Sequence, residues 1–75
     1  MKIGVDTEAL REARIRAFFT QHGLAKATGC HYSTMSLIEG GKRQPSPRIA
    51  GKIAAVLGKD FDDLFFTVVG EEDSE

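Results

Sequence analysis

The chain has one cysteine, no tryptophan, one tyrosine and two prolines in 75 residues. A single cysteine cannot close an internal disulfide, so nothing points to an oxidising compartment. No apolar run approaches the roughly 18 residues that suggest a membrane span. Residues 1–6 lack the apolar stretch of a signal peptide. The expected location is cytoplasmic, with no membrane partner. Alternating apolar and polar residues are also scarce: Phe66-Thr67-Val68-Val69 alone asks to be a strand, and it is short. Size is the last shortage. A chain this short hides only about 60% of the surface that its unfolded form exposes. One domain is expected, with neither a large enclosed active-site cleft nor room for a second, sensing domain. Hydrophobic residues nevertheless make up 41% and charged residues 28%, which excludes a wholly disordered chain.

The formal net charge of −1 hides an uneven distribution. Residues 1–59 hold all ten Lys and Arg against Asp6, Glu8, Glu12 and Glu39, a formal +6. Residues 60–75 hold Asp60, Asp62, Asp63, Glu71, Glu72, Asp73 and Glu75 and no base, a formal −7. A basic body with an acidic end is compatible with a nucleic-acid partner and equally with a solvating tail on a mildly basic domain.

Glycine and proline divide the chain into short segments of helical spacing. The first helix starts at Asp6 or Thr7. With Asp6 as cap, Val5 and Leu10 take the positions of a hydrophobic staple. Leu10, Ala13, Ala17 and Phe18 share a face, Arg11 and Arg16 point elsewhere, and Arg14 falls on the apolar face. Thr20 caps a second helix, with Phe19 and Leu24 as its staple and Gly29 as its left-handed end. A third begins near His31, runs through Met35 and Ile38, and stops at Gly40-Gly41. Ser46 and Pro47 open a fourth, which buries Ile49, Ala50, Ile53, Ala54 and Leu57 and ends at Gly58. Asp60 caps a short fifth helix, and Phe61, Leu64 and Phe65 close the core. The expected fold is all-α: a compact five-helix domain over residues 1–69, without strand pairing, and an acidic, disordered tail over 70–75.

Two short helices joined at one glycine are the informative part. Thr20-Gln21, Leu24-Ala25, Gly29, Cys30, Ser33, Ile38-Glu39 and Lys42-Arg43 follow one another without a gap. Ala25 lets the two helices approach, and Cys30, Met35 and Ile38 anchor the third helix on the core. Tyr32, Ser33, Ser36 and Leu37 are left on its outer face, and such a helix fits a major groove. This pattern resembles the λ-repressor-like, Cro-type (XRE-type) helix-turn-helix DNA-binding family, with the helix-turn-helix at about residues 20–39. The resemblance continues through Pro45-Ser46, Ile53-Ala54 and Leu57-Gly58 to Leu64-Phe65, about residues 7–66 in all.

The resemblance implies a sequence-specific regulator of transcription, expected to be a repressor and a homodimer on a near-palindromic operator in double-stranded DNA. It assigns Tyr32, Ser33, Ser36 and Leu37 to the bases, and Gln21, Thr34, Lys42 and Arg43 to the phosphates, with Thr34 and Ser36 near the backbone or bases. It pairs Arg14 with Glu39 as a partly buried structural clamp. Leftover apolar Phe66, Val68 and Val69 could form the dimer interface.

Blander readings stand beside these. Tyr32 could be a surface aromatic packed on its own helix, Leu37 a protein contact, and Lys42-Arg43 a solvated turn. The chain also departs from the family pattern. His31 replaces the Ser/Thr cap, which weakens the start of the third helix or moves the cap to Ser33. Gly40 replaces a common asparagine, Phe18 stands where a helix-ending glycine is usual, and no arginine or glutamine faces the bases. A second class of function therefore stays open: a protein-interaction module on the same fold, such as an antitoxin, co-activator bridge or anti-repressor, with a protein partner. Cys30, His31 and His22 fall short of the four ligands of a structural zinc, so no metal or cofactor is expected. Adjacent Cys30 and His31 point apart on entering a helix, so no nucleophile pair and no enzymatic activity is expected.

Overall fold

The computed structural model describes residues 2–69. In chain order the elements are β1 (Lys2–Val5), α1 (Thr7–Arg16), α2 (Gln21–Thr28), α3 (Tyr32–Glu39), α4 (Pro47–Leu57), α5 (Phe61–Leu64) and β2 (Phe65–Val68). The acidic end at 70–75, expected to be disordered, lies outside the described residues.

Local chemistry starts most of the helices. The Asp6 carboxylate accepts from the Ala9 N–H at 3.1 Å, Thr20 Oγ1 from the Gly23 N–H at 2.9 Å, and Ser46 Oγ from the Ile49 N–H at 3.2 Å. Each such cap typically contributes about 1 kcal/mol. At α5 the Asp63 carboxylate reaches back to the Asp60 N–H at 3.0 Å. Pro47 occupies the first turn of α4, where its missing N–H costs no helical hydrogen bond.

The helices close on one core. Leu10, Leu24, Met35, Ile38, Ile53 and Leu64 are its largest fully buried apolar side chains, and every helix contributes at least one of them. Thr28 is buried among them because its hydroxyl donates to the carbonyl oxygens of its own helix, to Leu24 at 2.8 Å and Ala25 at 3.2 Å. Among the described residues, no buried side-chain nitrogen or oxygen lacks a partner.

Two expectations are corrected. The fold is not strictly all-α, because β1 and β2 pair antiparallel, with Lys2 opposite Val68 and Val5 opposite Phe65. Phe65 therefore opens a strand and keeps its ring in the core. Phe66-Thr67-Val68 of β2 shows its alternation in sequence, but Lys2-Ile3-Gly4-Val5 shows too little, and the pairing joins residues 60 to 66 apart along the chain. The pair alternates as a strand should. Ile3 and Phe65 are buried, whereas the Phe66 ring lies over Gly4 on the other face, where a Cβ at Gly4 would collide with it. The second correction is Phe18, which does not share the apolar face of α1. That helix ends at Arg16, Phe18 takes φ +63°, and its side chain turns out to solvent at 95% exposure.

Candidate nucleic-acid interface

The candidate surface is built around α3, and what holds α3 is the first question. Gly29 ends α2 at φ +78°, and the Cys30 N–H donates back to the Ala25 carbonyl at 3.0 Å. A left-handed residue reverses the chain at once, so α3 begins three residues later. Its N-cap is His31, not Ser33. The His31 side chain makes no capping bond to the backbone, and its Nδ1 lies 3.3 Å from Ser33 Oγ.

The outer end of α3 is pinned by Arg14 and Glu39. Arg14 Nε donates to Glu39 Oε2 at 2.7 Å and Nη2 to Oε1 at 2.8 Å, a bidentate pair. Its remaining amino group, Nη1, donates to the Phe19 carbonyl at 2.9 Å. One guanidinium thus ties α1, the α1–α2 corner and the end of α3. The side chains are only 14% and 5% exposed, so the charges are largely removed from water and depend on each other. This explains why a basic residue stands on the apolar face of α1.

With Met35 and Ile38 facing the core, the opposite side of α3 is open. Tyr32, Ser33 and Leu37 are exposed, and Ser36 and Thr34 are half-buried. After α3 the chain is held close. Gly41 takes φ +75°, and the Lys42 and Arg43 N–H groups both donate to the Leu37 carbonyl, at 2.8 and 3.2 Å. The two bases then diverge. Lys42 lines a shallow cleft with Arg11, Gln21, Ser36 and Leu37. Arg43 lines a different one with Lys2, Thr34 and Ser46. The residues assigned by resemblance to phosphates therefore form two groups, Gln21 with Lys42 and Thr34 with Arg43.

Three residues in this region were missed in sequence. Arg11 and Lys2 join the two clefts, although each lies far along the chain from the motif and looks there like ordinary solvated charge. His22, weighed in sequence only as a metal ligand, stacks on Tyr32 with ring centroids 3.7 Å apart and planes 1° from parallel. Tyr32 is thus packed on α2, not on its own helix. Cys30 is half-buried, with its sulfur 3.7 Å from the Thr28 hydroxyl. Among the described residues, no group of three or more His, Cys, Asp or Glu is placed to hold a metal ion, and no helix is long and apolar enough to cross a membrane.

The sequence is similar to those of known proteins. Residues 10–64 match the profile of the family described as Helix-turn-helix. The chain is 43% identical over 56 residues to a protein of Archaeoglobus fulgidus, covering 75% of this chain and 80% of that one. A second Archaeoglobus fulgidus protein is 38% identical over 56 residues, covering 75% and 79%. A Methanocaldococcus jannaschii protein is 44% identical over 46 residues, covering 61% and 70%. All three are named as uncharacterized HTH-type transcriptional regulators. The matched span runs from the core leucine of α1 to that of α5 and encloses the α2–α3 corner, the clamp and the exposed side of α3; the chain belongs to the XRE-type helix-turn-helix family.

Proposed function

We propose that this protein is a transcription regulator that binds double-stranded DNA and recognises its sequence by laying α3 in the major groove. The observation that carries this reading is the exposed side of α3, a row of Tyr32, Ser33 and Leu37 with basic groups on both flanks. Its relatives' names, which describe transcriptional regulators, support the same reading. Tyr32, Ser33, Ser36 and Leu37 face base edges, where hydroxyls can bond to polar atoms and Leu37 can touch a thymine methyl. Gln21, Thr34, Lys42 and Arg43 meet the phosphates, and Arg11 joins them beside Lys42. The role is binding, without catalysis, cofactor or metal. Occupying an operator makes a repressor the simplest outcome.

A homodimer on a near-palindrome suits a reading surface of one short helix. We assign its interface to the outer face of the strand pair, where Phe66 and Val68 are 51% and 39% exposed, extended by Val69 just past β2 at 79%. Phe66→Glu then gives a monomer in sedimentation.

The deciding experiment is a salt-dependent gel shift on the upstream region of the protein's own gene, with variants. Lys42→Ala and Arg43→Ala weaken all DNA sequences alike, and each reduces the salt slope by about 1. Tyr32→Ala and Ser33→Ala relax sequence preference, because a base contact supplies about 1–3 kcal/mol of discrimination. Weak, sequence-blind binding by the wild type favours the protein-interaction module instead. The exposed Ile15, Phe18 and Phe66 side chains are the observation on that second reading's side.

A further inference from the structure

Tyr32 is the first residue of α3, 41% exposed, and its ring lies flat against the imidazole of His22 from the second position of α2. A tyrosine at a helix end, with only solvent around it, samples several orientations about its two side-chain torsions. Here a parallel partner 3.7 Å away covers one face of the ring. The partner belongs to a different helix, and that helix is fixed in the core by Leu24, Ala25 and Thr28.

We infer that His22 is a positioning residue for DNA sequence recognition: its imidazole holds the Tyr32 ring so that the ring edge and hydroxyl, not the covered face, meet the bases. The inference rests on the reading of α3 as the helix that enters the groove. Its physical content is pre-organisation. The orientation that Tyr32 needs is set before DNA arrives, so less side-chain freedom is lost on binding. The covered face cannot stack on a base or a thymine methyl. What remains is the ring edge, the opposite face and a phenol hydroxyl, which donates and accepts, at the tip of a fixed lever. Helices α2 and α3 therefore both contribute to one base contact, although only α3 reaches the bases.

The test uses the full chain and two readouts. The first is selection of binding sites from a random duplex DNA pool by the wild type, His22→Ala, His22→Phe, His22→Gln, Tyr32→Ala and the double variant His22→Ala/Tyr32→Ala. His22→Ala is expected to flatten preference at the same base pair as Tyr32→Ala. The expected loss of discrimination there is about two- to tenfold, the range of an aromatic stack. His22→Phe restores the preference, because any flat ring can stack; His22→Gln does not. In the Tyr32→Ala background, His22→Ala changes that position no further. A merely structural role for His22 would lower affinity or stability without this position-specific coupling. Equal weakening of all sequences in both backgrounds makes His22 a phosphate contact and overturns the inference.

The second readout needs no DNA. Tyr32 is the only tyrosine and the chain has no tryptophan, so its emission is the protein's own signal. A stacked imidazole quenches a phenol, and emission is expected to rise in His22→Ala. Unchanged emission means that the stack does not form in solution and overturns the inference. If emission rises but the wild type selects no DNA sequence, it is the reading of α3 that fails, and the recognition role of His22 falls with it.

Discussion

Two corners of this molecule make the same turn by different means. At the α2–α3 corner the left-handed residue is Gly29, φ +78°; at the α1–α2 corner it is Phe18, φ +63°. A glycine takes that conformation freely, whereas a residue with a Cβ loses roughly 1–2 kcal/mol there. Phe18 recovers nothing by packing, since its side chain is 95% exposed. Both corners share one backbone bond, from Cys30 to Ala25 and from Phe19 to Arg14, but the Phe18 corner is also braced by the Arg14 side chain, which Glu39 of α3 holds in place. The Phe19 N–H donates to the Arg14 carbonyl at 3.0 Å, and the Arg14 guanidinium returns a bond to the Phe19 carbonyl at 2.9 Å. The difference teaches that a helix-ending glycine can be dispensed with where a side chain of the same helix, clamped by a partner from another helix, supplies the constraint. The same arginine fixes α3, so the strained corner and the candidate reading helix share one support.

The largest break in this comparison is expected from Arg14→Ala. It strands the Glu39 carboxylate at 5% exposure and removes the bond to Phe19, so unfolding in urea should show a loss of about 3–5 kcal/mol. Arg14→Lys should also destabilise, because an ammonium lacks the planar fork that meets both carboxylate oxygens. Gly29→Ala comes next, at about 1–2 kcal/mol of lost stability by the same titration. That loss is purely conformational, since a Cβ at Gly29 would approach nothing nearer than Lys52 Nζ at 3.9 Å. The smallest effects sharpen the other corner. Phe18→Ala should leave stability within about 0.5 kcal/mol, since the Cβ stays and the ring touches mainly water. Phe18→Gly should gain about 0.5 kcal/mol, strain relief outweighing the added freedom of the unfolded chain. A stability loss in Phe18→Gly, or none in Gly29→Ala, would show that the two corners do not differ in the way described.

Which parts of this were legible in the sequence follows from the distance over which each is made. Asp6, Thr20, Ser46 and Asp63 bond to backbone three residues away, so the helix starts could be read from residue type and spacing. The exposed row on α3 follows from the same periodicity once Met35 and Ile38 are placed inward. Arg14 was recognisable as out of place on its apolar face, and only the resemblance named Glu39 as its partner. Phe18 was misplaced because helical spacing was continued two residues past the end of α1; its position at a usual glycine site was the competing and better signal. Within the strand pair, Phe66-Thr67-Val68 was legible, whereas β1 had almost no signal, because Lys2-Ile3-Gly4-Val5 reads as a strand only beside β2.

By itself, the sequence determined the helices, their caps, the glycine corner between α2 and α3, and the amphipathic faces that choose the core. These depend on contacts within one or two turns, where spacing along the chain is distance in space. Only the tertiary structure decided that the ends of the described chain pair as strands. It alone set Lys42 beside Arg11 and Arg43 beside Lys2, on different sides of α3, and gave Tyr32 its partner in His22. Each of these joins residues from different elements, and their meeting is fixed by how the buried faces pack, which no local spacing encodes.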